Sequence, residues 1–174
     1  MHPAAKFETE RLVAQPYALA DFEDLARLWG DPEVTRFIGG KPKTTEEVWG
    51  TLLRTIGHWS VFGFGYWLLR EKRSGRFAGE LGFADHHRVL EPGFGTMPEM
   101  GWVLTPEFHG QGLAEEAARA ALAWADARDW PKTVCMIDPD NRRSLSLAAR
   151  LGFREYARAD YRDAEAILFE RCRA

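Results

Sequence analysis

The sequence predicts a mixed α/β domain of the α+β kind, and three observations predict it. Its 174 residues suit one domain of common size. β-rich runs alternate with stretches whose apolar residues recur at helical spacing. The early runs are joined by short turns, as in antiparallel hairpins, whereas the later ones read strand, helix, strand, helix. With 45% apolar and 28% charged residues, the chain can bury a core and carries no signature of disorder. Neither a linker nor a repeat interrupts it, so residues 1–174 are expected to form a single domain.

The elements follow in order. Residues 11–16 are short and apolar and read as a strand. Residues 20–30 space Phe22, Leu25, Ala26, Leu28 and Trp29 as a helix, with Asp21 as a cap and Gly30-Asp31-Pro32 as its end. A second helix is expected from Thr44 or Thr45 through Trp49, Leu52, Leu53 and Ile56, with Glu46 and Glu47 favoured at its positive end and Gly57 weakening its close. Residues 65–70 and 76–84 flank Lys72-Arg73-Ser74-Gly75 and read as a hairpin. The Pro- and Gly-bearing stretch 90–98 is a loop, and a strand starts near Glu99 and runs to Leu104. After a turn over 105–112, Leu113, Ala117, Ala120, Ala121, Trp124 and Ala125 recur as a helix to about residue 128. Residues 133–137 form a further strand, 144–150 a helix ended by Gly152, and two weaker strands complete the chain.

Composition excludes several classes of function. Lys and Arg number 23 against 26 Asp and Glu, a net charge of −3, so no overall basic field draws nucleic acid or an anionic membrane, and neither is expected as a partner. Cys135 and Cys172 form no CxxC, which leaves neither a disulfide framework nor a cysteine zinc site. His86, His87, His109 and Asp85 match no compact metal-ligand spacing, and no metal is expected. No run approaches the roughly 20 apolar residues of a membrane span. The start Met1-His2-Pro3-Ala4-Ala5-Lys6 lacks a signal-peptide apolar region, so a cytoplasmic location is expected.

The segment that carries chemistry is His109-Gly110-Gln111-Gly112-Leu113-Ala114, set between a strand and a helix rich in small residues. Glycine lacks a Cβ, so Gly110 and Gly112 let main-chain N–H groups approach a ligand. The first helical turn adds unpaired N–H groups and partial positive charge. A phosphate or pyrophosphate suits such a site, and a tight turn needing glycine for geometry alone also fits the string. A dinucleotide fingerprint starting at Gly110 wants Gly or Ala where Glu115 stands, and a Walker loop wants Lys and Ser or Thr where Leu113 and Ala114 stand. Both are rejected.

The string resembles the coenzyme A loop of the GNAT acyltransferase superfamily, whose pattern is Arg or Gln, two residues, Gly, one residue, Gly or Ala. His109 holds the Arg/Gln place, Gly112 the glycine and Ala114 the last. Thr9-Glu10-Arg11-Leu12, Glu99-Met100-Gly101-Trp102-Val103, and Asn141-Arg142-Arg143-Ser144 followed by Leu151-Gly152-Phe153 are similar to its RimJ/RimL-type branch. The resemblance implies a mixed, mostly antiparallel central sheet with a splay between its fourth and fifth strands, flanked by about four helices.

It further implies an N-acetyltransferase that moves an acetyl group from acetyl-CoA directly to a primary amine, with no metal. The acceptor would be a protein N-terminus, an amino acid or another small amine, and the chain would be a monomer or homodimer. An acyl-CoA-binding module with little turnover is the alternative. The cofactor site would comprise Trp102, Val103, Leu104, His109, Gly110, Gln111, Gly112, Leu113, Ala114, Glu115, Asn141, Arg142, Arg143 and Ser144. The main-chain N–H groups from Gln111 to Glu115 would take the pyrophosphate, with the pantetheine arm between the strand of Trp102–Leu104 and that of residues 133–137. Glu99 is the first candidate for the base, with Glu80, Asp85, His86 and His87 as alternatives, Asn141 for contacting the cofactor arm or amine, and a main-chain N–H near Val103 or Leu104 for the oxyanion. Where many members carry a tyrosine on the last helix, Ala148 stands here, so Ser144 becomes the candidate donor to the departing thiolate.

Overall fold

A computed structural model describes residues 4–173; residues 1–3, part of the stretch read for targeting, lie outside the described residues. Eight strands form one sheet: β1 (Phe7–Glu8), β2 (Leu12–Gln15), β3 (Tyr66–Glu71), β4 (Phe77–Ala84), β5 (Glu99–Leu104), β6 (Lys132–Ile137), β7 (Arg154–Tyr161) and β8 (Ala164–Cys172). Their spatial order is β1-β2-β3-β4-β5-β6-β8-β7, and every neighbouring pair is antiparallel except β5–β6. The short β1 moves the expected splay from the fourth and fifth strands to the fifth and sixth.

Five α-helices accompany the sheet where about four were expected: α1 (Phe22–Gly30), α2 (Pro32–Thr35), α3 (Thr45–Phe62), α4 (Leu113–Asp126) and α5 (Arg142–Arg150). The extra one arises because a stop signal is also a start signal. Asp31 ends α1, and its side chain then accepts from the Glu33 N–H at 2.8 Å, with Pro32 at the first helical position. Thr44 and Glu47 cap α3 reciprocally, the Glu47 N–H donating to Thr44 Oγ1 at 3.2 Å and the Thr44 N–H to Glu47 Oε2 at 2.7 Å. This helix runs through Gly57 to Phe62. A mid-helix glycine costs only about 1 kcal/mol against alanine, and the burial of Leu52 and Trp59 on either side outweighs it.

Side chains alternate across the sheet and sort into two main cores, with a third, small cluster of Ala159, Ala166 and Leu168 at the β7–β8 end. Trp67, Leu69, Leu81, Phe83, Met100 and Leu104 pack under α4 and α5 with Ala117, Ala121, Leu147 and Ala148. Leu68 and Phe77, with Tyr66 and Val103 against them, pack under α1 and α3 with Leu25, Leu28, Val48 and Leu52. The alanine-rich inner stripe of α4 lets its backbone lie close over the sheet, which sets the helix start against the end of β5.

Candidate active site

The parallel pair β5–β6 meets at one register position, Glu99 opposite Val134, where the Val134 N–H donates to the Pro98 carbonyl at 3.1 Å. Beyond it the strands diverge toward their C-terminal ends, the edge at which open α/β sheets take ligands. The Thr105 N–H donates to the Ala78 carbonyl at 3.0 Å, so ladder alternation commits the main-chain groups of Val103 and Gly101 to β4. Those of Trp102 and Leu104 turn into the gap. Of the two candidates for meeting an oxyanion, Leu104 therefore holds the free N–H and Val103 does not.

At the open end stands the glycine turn. Gly110 and Gly112 have φ of 73° and 77°, and Gly112 is the residue before α4, where a side chain would be strained. Among the described residues no protein acceptor meets the N–H groups of Gln111, Gly112, Leu113, Ala114 or Glu115. An anion can be taken there without displacing a protein contact. The Glu115 side chain does not face this anion position. Arg119 and Arg150 bind it at 2.7 Å each and hold its carboxyl below the usual range.

The N-terminal motif supports the loop from behind, a role that reading the loop alone misses. Thr9 Oγ1 donates to Glu116 Oε1 at 2.5 Å, and Arg11 Nε donates to Glu116 Oε2 at 2.6 Å while its Nη1 holds the Gln111 carbonyl at 2.8 Å. His109, in the place of Arg or Gln, is a strap across the gap. Its Nε2 donates to the Leu104 carbonyl at 2.9 Å, and its Nδ1 accepts from Arg143 Nη1 at 2.9 Å. A carbonyl only accepts and a guanidinium only donates, which fixes the Nε2–H tautomer.

From the α5 side, Asn141 Oδ1 caps the helix by accepting the Ser144 N–H at 3.2 Å. Trp102 Nε1 donates to Ser144 Oγ at 3.2 Å, so the serine keeps its own O–H to give. Arg142 is exposed at the mouth. Hydrogen bonds from Trp102 to Ser144, from His109 to Leu104 and from Arg143 to His109, with the Asn141 cap, thus tie β5, the glycine turn and the start of α5 together.

Glu99 sits at the closed end of the splay and faces the other side of the sheet. It is 7% exposed, and Arg88 grips both its oxygens, Nε to Oε2 at 2.5 Å and Nη2 to Oε1 at 2.8 Å, while Arg88 Nη1 donates to the Tyr161 hydroxyl at 2.8 Å. Burial raises its carboxyl above the usual range, and Arg88 offsets only part of that. Glu80, 3% exposed and opposite Val103, accepts from the Tyr17 hydroxyl and is likewise raised by burial. Lys43 lies 3.3 Å from the centroid of the Trp29 ring beside it. Tyr17 and Lys43 reach this face from loops distant in sequence, and Arg88 from across the Pro- and Gly-bearing loop before Glu99, so no local pattern announces them. Trp59 packs in the aromatic core against Trp67 and Trp124. Among the described residues no cluster of three or more His, Cys, Asp or Glu side chains could hold a metal, and no helix is long and apolar enough to cross a membrane.

Comparison with known proteins gives the family of this fold. The model of the acetyltransferase (GNAT) domain family matches residues 11–154. A GnaT-family acetyltransferase structure from Bordetella pertussis is 32% identical, covering 97% of this chain and 99% of its own, with a TM-score of 0.85. An acetyltransferase from Agrobacterium tumefaciens str. C58 is 27% identical over 98% of this chain and 96% of its own, with a TM-score of 0.84. RimL, the ribosomal L7/L12 alpha-N-protein acetyltransferase solved with coenzyme A, shares the fold at 18% identity, 97% and 98% coverage and a TM-score of 0.78. The chain belongs to the GNAT acetyltransferase family and is an acetyl-CoA-dependent N-acetyltransferase.

Proposed function

We propose that this chain transfers an acetyl group from acetyl-CoA directly to a primary amine, that of a protein N-terminus, an amino acid or another small amine. The observation that carries the reading is the coincidence of five uncommitted N–H groups, Gln111 to Glu115, with a strand edge left free by the β5–β6 divergence. The first fits a diphosphate, and the second fits an extended amide-bearing arm that pairs like an added strand. Acetyl-CoA, when bound, supplies a thioester already activated for attack.

The residues divide the remaining work. Gln111 to Glu115 hold the diphosphate through main chain, with Gly110 shaping the turn and the exposed Arg142 beside the adenosine end. Trp102 and Leu104 pair with the arm, and the Leu104 N–H meets charge developing on the carbonyl oxygen. His109 and Arg143 close the strap over the arm, and Asn141, its Oδ1 spent on the cap, offers its amide N–H groups. Ser144 presents its O–H to the departing sulfur. The amine then approaches from the opposite, α1/α3 face, where Glu99 takes its proton; a carboxyl raised by burial is a better base than an ordinary one.

Free-thiol release from acetyl-CoA tests this against a peptide with a free N-terminal alanine, a free amino acid, spermidine and an aminoglycoside. Turnover of at least one amine is expected, with Glu99→Gln lowering kcat by roughly 10²–10⁴-fold. Tight acetyl-CoA binding with no turnover of any amine would establish the binding-module alternative instead.

A further inference from the structure

Tyr66 of β3, Gly82 of β4 and Gly101 of β5 stand opposite one another across three strands and share the α1/α3 face of the sheet. The two glycines are an opening for the tyrosine. A Cβ at Gly82 would collide with the Tyr66 main chain, and one at Gly101 would collide with the Tyr66 hydroxyl oxygen and stand 3.2 Å from its Cζ. The ring is thereby laid across β4, and the phenol ends on β5 itself, one residue from Trp102, whose N–H faces the cofactor gap. Glu80 and Glu99 lie on the same face to either side. Among the described residues nothing hydrogen-bonds the Tyr66 hydroxyl. Burial, together with the charges of Glu99 and Glu80, keeps the phenol protonated well above the ordinary tyrosine range, so it is a fixed hydrogen-bonding group and not a base.

We propose that Tyr66 is a catalytic residue on the acceptor side: its hydroxyl oxygen accepts a hydrogen bond from the incoming amine and aims that nitrogen at the thioester carbonyl held in the gap. The inference rests on the acetyl-transfer reading above and adds a residue that neither the loop pattern nor α5 supplies. As the C–N bond forms, the nitrogen gives up its proton to the Glu99 carboxylate. The C–S bond breaks with its electron pair left on sulfur, and Tyr66 keeps its own proton throughout.

Tyr66→Phe keeps the ring in its glycine opening and removes only the hydroxyl. For whichever amine of the panel is turned over, it is expected to lower kcat/KM about 10- to 100-fold, leaving the KM for acetyl-CoA unchanged. Gly101→Ala, which displaces the phenol, is expected to lose a similar factor alone and little more on top of Tyr66→Phe. A readout that needs no acceptor is the ring resonance of Cζ-labelled tyrosine. The chain has four tyrosines, so the Tyr66→Phe variant assigns the signal. The Tyr66 resonance is expected to move on adding acetyl-CoA and to move differently with coenzyme A. An unchanged kcat/KM in Tyr66→Phe, or acetyl-CoA binding with a static Tyr66 resonance, overturns the proposal alone. Failure to bind acetyl-CoA at all overturns the proposed function and this inference with it.

Discussion

Glu80 shows how one buried carboxylate on the α1/α3 face makes stability depend on pH. Burial raises its carboxyl above the usual range, and the Tyr17 hydroxyl and Lys43 charge offset this only in part. A value raised in the folded state means that the folded protein holds the proton more tightly than the unfolded chain does. Its contribution to stability is therefore full below the unfolded carboxyl value of about 4.3 and is lost as pH rises through the folded value. Glu80→Gln has no such proton to lose. Denaturant midpoints of the two proteins, measured from about pH 4 to 8, are expected to show wild type losing stability relative to the variant as pH rises and then levelling. A difference that is flat, or that grows in favour of wild type, shows that the carboxylate is better solvated than its burial indicates. Glu99 differs in kind, because Arg88 brings a full compensating charge and two hydrogen bonds into the same pocket. Burial thus acts in the same direction on a neutralised ion pair in one case and, in the other, on an acid held by the Tyr17 hydroxyl with the Lys43 charge nearby.

At the scale of elements, the turn before α4 concentrates the chemistry in backbone. Gly112 has a left-handed φ of 77°, and its N–H and the four around it, which meet no protein acceptor among the described residues, form the proposed anion site. Gly112→Ala is expected to strain the turn by roughly 1–2 kcal/mol and to weaken coenzyme A binding by at least about tenfold. Titration calorimetry with thermal unfolding separates the two effects, and an unaltered affinity would show that the diphosphate binds elsewhere. This element was legible in the sequence because glycine spacing and the strand–helix switch are local, and the apolar spacing of α4 and the hairpin of β3 and β4 were legible for the same reason. α2 was not, since Asp31-Pro32 encodes both an end and a beginning. The strap of His109 to Arg143, the Arg11–Glu116 support and the grip of Arg88 on Glu99 join residues 34, 105 and 11 positions apart. The first two span separations that no local pattern reports. Arg88 lies close in sequence to Glu99, but the intervening Pro- and Gly-bearing loop gives no periodicity from which their meeting could be read. Tyr66 was hidden differently, because a tyrosine in a strand reads as packing until the glycines opposite it are placed by register.

For the whole molecule, the sheet is a continuous antiparallel ladder on either side of a single parallel seam, and that seam is left mostly unzipped. Unpaired strand edges are ordinarily a liability, because their free N–H and C=O groups invite pairing. Here the edge is retained inside the fold, with α4 and α5 above it and β4 and β8 anchoring its two sides. The arrangement predicts a selective pattern of amide exchange. Without ligand, the Trp102 and Leu104 amides have no ladder partner and exchange fast, while Val103 and Gly101, bonded to β4, exchange slowly. Coenzyme A is expected to protect Trp102, Leu104 and the amides from Gln111 to Glu115 from local exchange, over and above the general slowing that a more stable fold gives the β3–β4 ladder. At about 100 times its Kd it should also stabilise the fold by about 2.7 kcal/mol. Protection spread evenly over all strands would mean that the ligand only raises global stability. Protection confined to α4 would mean that the pantetheine arm does not enter the seam, and the divergence of β5 from β6 would then need another occupant.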